Sequence, residues 1–196
     1  MMETRACMEP KTRSDEEPAD DTLAERASVG DREAFAMLVE RHYAFIHRVA
    51  WKWCRDRSAA EDIAQNVCLR LGFAIRKWRN ESAFRTWLYR ITINAAHDHA
   101  RFIAREMRKV EALAVHATAL GEDMASYKPS HSDYVWDAVR TLPDKQRDAV
   151  LLVYGEELSH ADAAAVMGCA ESTVSYHLHT ARKRLETLLR GSGEEQ

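Results

Sequence analysis

The chain has 196 residues, 46% of them hydrophobic and 30% charged, with a formal net charge of −3. That length admits one domain or two small ones, and the apolar share is enough for packed cores. No run approaches the eighteen or so apolar residues of a membrane span, and the N-terminal stretch has no apolar h-region, so neither membrane contact nor a signal peptide is expected.

Only seven Gly and four Pro, among abundant Ala, Leu, Arg and Glu, point to an all-α protein. The four cysteines, Cys7, Cys54, Cys68 and Cys169, have no paired spacing. That pattern suits reduced thiols in a cytoplasm and predicts neither a disulfide framework nor a zinc site. Charge is segregated along the chain. Residues 1–21 carry seven acids against three bases, a balance of −4, whereas residues 76–109 carry nine bases against three acids, a balance of +6. A local basic surface matters more for a polyanionic partner than the total.

Residues 1–20 are polar and aperiodic, so a disordered acidic tail is expected there. A short helix should begin near Asp21 and stop at Gly30. Asp31 then stands as N-cap of a long amphipathic helix, Arg32 to about Cys54, whose Phe35, Leu38, Val39, His42, Phe45, Ile46, Val49 and Trp53 keep helical spacing. These aromatics are read as core. Ser58, with Glu61 three residues later, predicts a capping box for the next helix. Its Ile63, Val67, Leu71 and Ala74 would face inward, and Glu61, Asp62, Gln65 and Asn66 outward. A basic loop containing Trp78 and Asn80 follows, and Ser82 is the expected cap of the stretch from Phe84 to Arg105.

In that stretch Phe84, Trp87, Leu88, Ile91 and Ala95 share one helical face. The opposite face carries Arg90, Asn94, His97, Asp98, Arg101 and Arg105, a set of donors suited to phosphates and base edges. Residues 21–112 therefore read as one helical bundle. Residues 113–131 lose periodicity and read as a flexible linker.

The second unit, residues 132–190, should start with a helix capped by Ser132 and running to Arg140. A turn at Leu142-Pro143 and a helix to Tyr154 follow. The last two helices, Ser159 to Met167 and Ser172 to about Leu189, have the spacing of a helix-turn-helix. Ala164 is small at the close approach, Gly168 suits a positive φ in the turn, and Val174 anchors the second helix. With Ser172 as N-cap, that helix would expose Glu171, Thr173, Ser175, Tyr176, His177, His179 and Thr180, with Arg182, Lys183 and Arg184 beyond for backbone charge.

With these stretches together, the chain resembles a bacterial RNA polymerase sigma factor of the extracytoplasmic-function class, within the sigma-70 family. "DREAF..LVERHY" (31–43), "AAEDIAQNVCLRL" (59–71), "FRTWLYRITINAAHDHAR" (84–101) and the segment 138–188 carry the resemblance in the family's order. The resemblance implies two small helical domains, a region 2-like unit and a region 4-like unit, and a cytoplasmic adapter that binds core RNA polymerase and promoter DNA. It implies polymerase contacts at Glu61, Asp62, Gln65 and Asn66. It also implies contacts to the −10 element at Asn94, Asp98 and Arg101, on the same face as Arg90, His97 and Arg105. The loop holding Trp78 and Asn80 is similar to one that receives a base turned out of the duplex. Contacts to the −35 element are implied for Ser172, Thr173, Ser175, Tyr176, His177, His179, Arg182, Lys183 and Arg184. An anti-sigma factor, often membrane-bound in the family, is the further partner implied.

The sequence departs from the family pattern at Asn66, Cys68 and Gly72. It departs again at Ser175-Tyr176-His177 and Thr180, where neutral or titratable residues replace usual cations, which predicts a weaker salt-dependent term. Trp78 could instead be core, and Asp98 could tether Arg101 or Arg105. No catalytic constellation, metal site or cofactor motif is present, because His97/His99 and His177/His179 are two apart on helices and diverge. The alternatives are a sigma-like decoy that sequesters a regulator, and an ordinary helix-turn-helix repressor, which would not need the first domain.

Overall fold

A computed structural model describes residues 17–114 and 131–191. The expected acidic tail, apart from its last four residues, and the expected linker, apart from its two ends, lie outside the described residues. The protein is all-α, and no strand occurs among the described residues. No described helix is long and apolar enough to cross a membrane.

The first half is built from α1 (Asp20–Ser28), α2 (Arg32–Cys54), α3 (Arg57–Ala74) and α4 (Phe84–Ala114), with a single 3-10 turn at Ile75–Lys77. Asp31 starts α2 as anticipated, its carboxylate accepting from the backbone N–H groups of Glu33 and Ala34 at 3.0 Å. Arg55, in the left-handed region at φ 55°, ends it. Leu23, Leu38, Ile46, Val49, Ile63, Val67, Leu71, Phe84 and Leu88 are shut from solvent and form the shared core. His42 joins that core because its Nε2 reaches Asp20 at 2.8 Å, so its polar edge is satisfied.

Two caps differ from expectation. Asp56, not Ser58, caps α3 by accepting from the Ala59 N–H at 2.6 Å, so the Ser58/Glu61 box does not form. An ionised carboxylate two residues earlier is the stronger acceptor and better complements the helix dipole. At α4 the cap is tertiary: Asp21 of α1 accepts from the Phe84 N–H at 2.7 Å, and Ser82 is not used.

The second half comprises α5 (His131–Arg140), α6 (Asp144–Val150), a π-helical turn at Leu151–Gly155, α7 (His160–Met167) and α8 (Glu171–Gly191). The helix expected to be continuous to Tyr154 thus changes pitch after Val150. Helix α5 begins at His131, one residue before the anticipated Ser132 cap. Ser159 caps α7, accepting from Asp162 N at 3.1 Å. Ala164 is buried beneath the turn, Gly168 takes φ 66°, and Val174 is fully buried, as helix-turn-helix geometry requires. Helix α8 starts one residue before Ser172, its first turn closed by Thr173 N and Val174 N on the Ala170 carbonyl, so Ser172 lies inside the helix and caps nothing.

The halves meet where α7 lies against α4 and the π-helical turn lies against α2. This seam buries Tyr89, Ile93 and Ala96, which lie outside the expected apolar stripe of α4, and also His97, expected on the outward polar face but turned to Asp148 of the second half, while Ile91 is only half-buried.

Candidate nucleic-acid and polymerase interfaces

Helix α3 presents Glu61, Asp62, Gln65 and Asn66 to solvent, two acids and two amides on adjoining turns. The same exposed surface continues into Leu69 and Phe73, which are 70% and 80% exposed. These two follow Gln65 at four-residue steps, and an apolar pair bordering a polar patch is the composition of a protein-binding surface. The sequence reading missed them, although both fall off the Ile63/Val67/Leu71 stripe. Gly72 lies behind them, where an added Cβ would meet the Phe35 ring at 3.7 Å. A large side chain at that position would therefore displace Phe35.

On α4, Asp98 links two helices. It accepts from Arg70 of α3 at 2.7 Å and from Arg101 at 2.8 Å. Hydrogen bonds from Arg70 and then Arg101 hold its carboxyl below the usual carboxylate range. Asp98 thus orients Arg101, which remains exposed, and Arg105 is steadied by its bond to the Arg101 carbonyl. The other half of that face is differently placed. Arg90 donates through Nε to the Val166 carbonyl at 3.2 Å and through Nη2 to the Ala165 carbonyl. His97 is 8% exposed, its Nε2 2.9 Å from Asp148. Asn94 is exposed at the rim of a cleft floored by Val166 and Gly168.

The loop before α4 also departs from the expected arrangement. Trp78 is 8% exposed and meets the Phe84 ring edge-on at 6.5 Å between centroids. It is part of the core, and no open face of its ring is offered for stacking. Asn80 is exposed, at φ 55°, and donates to Glu25 at 3.0 Å.

Helix α8 keeps its expected face open. Ser172, Ser175, Tyr176, His179, Arg182, Lys183 and Arg184 are exposed, whereas Thr173, His177 and Thr180 are half-buried beside the buried Val174, Leu178 and Ala181. Ser175 is paired with His160 of α7 at 3.2 Å, and Thr180 is bonded to the Tyr176 carbonyl. No Lys or Arg occurs from Glu171 to Ala181, so cationic charge begins only about three turns beyond the helix start.

Residues 38–106 match the family described as Sigma-70 region 2, and residues 132–185 match Sigma-70 region 4. The RNA polymerase sigma-H factor of Pseudomonas aeruginosa is 30% identical over 187 residues, covering 87% of this chain and 93% of that protein. The sigma factor SigM of Mycobacterium tuberculosis, of the extracytoplasmic-function class, is 33% identical over 178 residues, covering 88% of this chain and 86% of its own. This chain belongs to the extracytoplasmic-function sigma factors. It is an alternative sigma factor, from a family of transcription initiation factors. Among solved structures, CnrH in complex with the cytosolic domain of CnrY matches at TM-score 0.62 and 26% identity, over 89% of this chain and 99% of that one. The sigma factor RpoE of Bartonella quintana, solved with the anti-sigma factor NepR, shares the fold at TM-score 0.59 and 24% identity, over 80% of this chain and 96% of that one.

The sigma factor's seam holds residues that no sequence motif marked. Asp148 of α6 is 2% exposed, and one of its oxygens accepts from Trp53 Nε1 at 2.8 Å and faces His97 Nε2 at 2.9 Å. Glu156, after the π-helical turn, accepts from the Tyr89 hydroxyl at 2.7 Å and pairs with Lys52 and Arg48 of α2. Lys52 also donates to the Gly155 carbonyl. Burial pushes the Tyr89 phenol up, and the Glu156 carboxylate adds to this, raising it to about 12. Burial opposes ionisation of Glu156, but hydrogen bonds from Lys52 and Tyr89 outweigh it and keep the carboxyl below its ordinary value.

Proposed function

We propose that this sigma factor works through three faces on three helices. Glu61, Asp62, Gln65 and Asn66 of α3, with Leu69 and Phe73 beside them, bind core RNA polymerase. Outward acids and amides suit a cationic partner surface, and the apolar pair supplies area to bury. Asn94, Asp98 and Arg101 of α4, flanked by Arg90, His97 and Arg105, meet the −10 element, with Asn80 at the loop before them. The exposed edge of α8, from Ser172 to Arg184, reads the −35 element, with Tyr176 and His179 as base readers and Arg182, Lys183 and Arg184 on phosphates. Residues 21–112 and 132–190 are the two working units, and residues 1–20 and 113–131 the segments outside them. The protein acts in the cytoplasm, carries out no chemistry of its own, and is held by an anti-sigma factor, as RpoE is by NepR.

The observation that carries this reading is the open edge of α8, whose buried Val174, Leu178 and Ala181 leave the opposite side free for a groove. The test is run-off transcription with core polymerase on pooled genomic fragments, sequencing the start sites. Discrete starts sharing two spaced upstream elements are expected. Polymerase binding without starts would favour a sequestering decoy, the reading to which the cation-free start of α8 lends weight. Loss of both polymerase binding and starts on Asn94→Ala or Arg101→Ala would remove the assignment of separate faces.

A further inference from the structure

We propose that Glu25 of α1 is a positioning residue for promoter recognition: by taking the amide nitrogen of Asn80 it leaves the Asn80 carbonyl oxygen outward, so that the loop before α4 favours a base carrying an exocyclic amino group. The inference rests on the reading of that loop as a −10 contact. It adds a residue of the first helix, which lies outside the segment matched to Sigma-70 region 2, as the group that sets the polarity of the contact.

Three observations support it. First, the loop is anchored on both sides of Asn80, and α1 supplies one of the anchors. Trp78 is packed into the core against Phe84, and the Phe84 N–H is held by Asp21 of α1 at 2.7 Å. Helix α1 is itself fixed: Asp20 accepts from Arg41 of α2 at 2.7 Å and pairs with His42 at 2.8 Å, while Leu23, Ala24 and Ala27 are buried. A rigid element therefore stands beside the loop. Second, Asn80 is held in a sparsely populated backbone state, φ 55°. Asn tolerates the left-handed region better than most residues, because its short polar side chain can bond nearby. Non-glycine residues kept there gather at ligand contacts, where the surrounding structure over-determines them. Here the exposed Asn80 side chain donates to Glu25, one turn beyond Asp21 on the same helix.

Third, the bond has a direction. An ionised carboxylate can only accept, so Nδ2 of Asn80 faces Glu25 at 3.0 Å and Oδ1 is left as the open acceptor. Cytosine N4 and adenine N6 can donate to such an oxygen, whereas thymine O4 would oppose it. An amide beside a neutral or absent partner could turn over and read either polarity. The single carboxylate of Glu25 biases it toward donors, and a cation in the same place would bias it the other way.

The test is run-off transcription with core polymerase and the full chain on a promoter pool randomised across the −10 element, with sequencing of the templates that yield starts. Glu25 is exposed, so its replacement leaves the core intact, and circular dichroism verifies that helicity is kept. The wild type should favour cytosine or adenine over thymine at one position by about tenfold, within what a base contact is worth. Glu25→Ala should flatten that preference. Glu25→Lys, which donates to Oδ1 and reverses the amide, should move the preference to thymine at the same position. In an Asn80→Ala background the preference should be gone and the Glu25 variants should no longer differ in it. An unchanged preference in both Glu25 variants would overturn the inference. So would a rise in starts with Glu25→Lys that is equal for all four bases, since that reports only an added cation near phosphates. If Asn80→Ala leaves every preference intact, the reading of the loop as a base contact falls and the inference with it. An Asn80 effect without a Glu25 effect removes the positioning role alone.

Discussion

Helices α4 and α8 are both amphipathic, both carry a polar face suited to DNA, and both sit on a well-packed apolar stripe, yet the structure treats those faces differently. The edge of α8 from Ser172 to Arg184 is open to solvent over most of its length. On α4, Asn94, Arg101 and Arg105 are open and unshared with the second half, whereas Arg90 and His97 are bonded into it. The difference teaches that a polar helix face is not by itself a free surface. Whether it is available depends on what the rest of the chain brings to it, and here carbonyl ends and a buried carboxylate take up Arg90 and His97.

The strongest way to break the comparison is to remove the packing that holds α4 in place. Phe84 is fully buried against Trp78, Trp87 and His42. Phe84→Ala should cost about 3–5 kcal/mol in chemical denaturation, the usual range for emptying a buried aromatic site. Both the exposed and the occupied halves of the α4 face would then be lost together. Next in size are the open groups themselves. Arg101→Ala or Tyr176→Ala should reduce promoter-directed starts by the about 1–3 kcal/mol that a base or paired contact is worth. Polymerase binding, followed by co-purification, should remain. Equal losses from the two would indicate that the −10 and −35 faces contribute alike despite the cation-free start of α8.

A smaller effect separates a true cap from an apparent one. Ser159→Ala removes the acceptor for Asp162 N and should cost about 1 kcal/mol of stability. Ser172→Ala, inside the first turn of α8 and exposed, should change stability by less than about 0.5 kcal/mol while still weakening promoter binding.

The seam should also respond to pH at both extremes. Glu156 has a folded value below its ordinary 4.5, so its contribution to docking is present above that value and is lost as pH falls through the lowered one. Tyr89 has a folded value raised to about 12 from 10, so its contribution is complete below 10 and is lost as pH rises toward 12. Scattering across pH should therefore show a compact form through the neutral range and expansion at either end. Tyr89→Phe should remove the alkaline response and leave the acid one.

Much of the molecule was legible in residue order. The Asp31 cap, the long α2, the inward stripe of α3 and the Ala164/Gly168/Val174 corner are set by contacts within a turn or two of the chain, and periodicity reports such contacts directly. The four polar residues of α3 are exposed as read, and so is most of the α8 edge. What periodicity could not supply were partners distant in sequence. Trp78 and Asn80 sit two residues apart in one polar loop, yet one is core and the other surface, because Phe84 closes over the first. Leu69 and Phe73 were recoverable by asking which apolar residues of α3 the inward stripe leaves out.

The sequence by itself determined the helices, their order, the helix-turn-helix corner and the family pattern, since each rests on local propensity, spacing and the conformational freedom of one glycine at φ 66°. Only the tertiary structure decided that Asp21 caps a helix 63 residues away, that Asp148 meets Trp53 across 95 residues and that Glu156 meets Tyr89 across 67. Such pairs leave no period in the chain. A carboxylate reads the same whether it will face water or be buried, and its role is fixed only when packing of the two apolar cores brings donors within reach and excludes the solvent that would otherwise satisfy it.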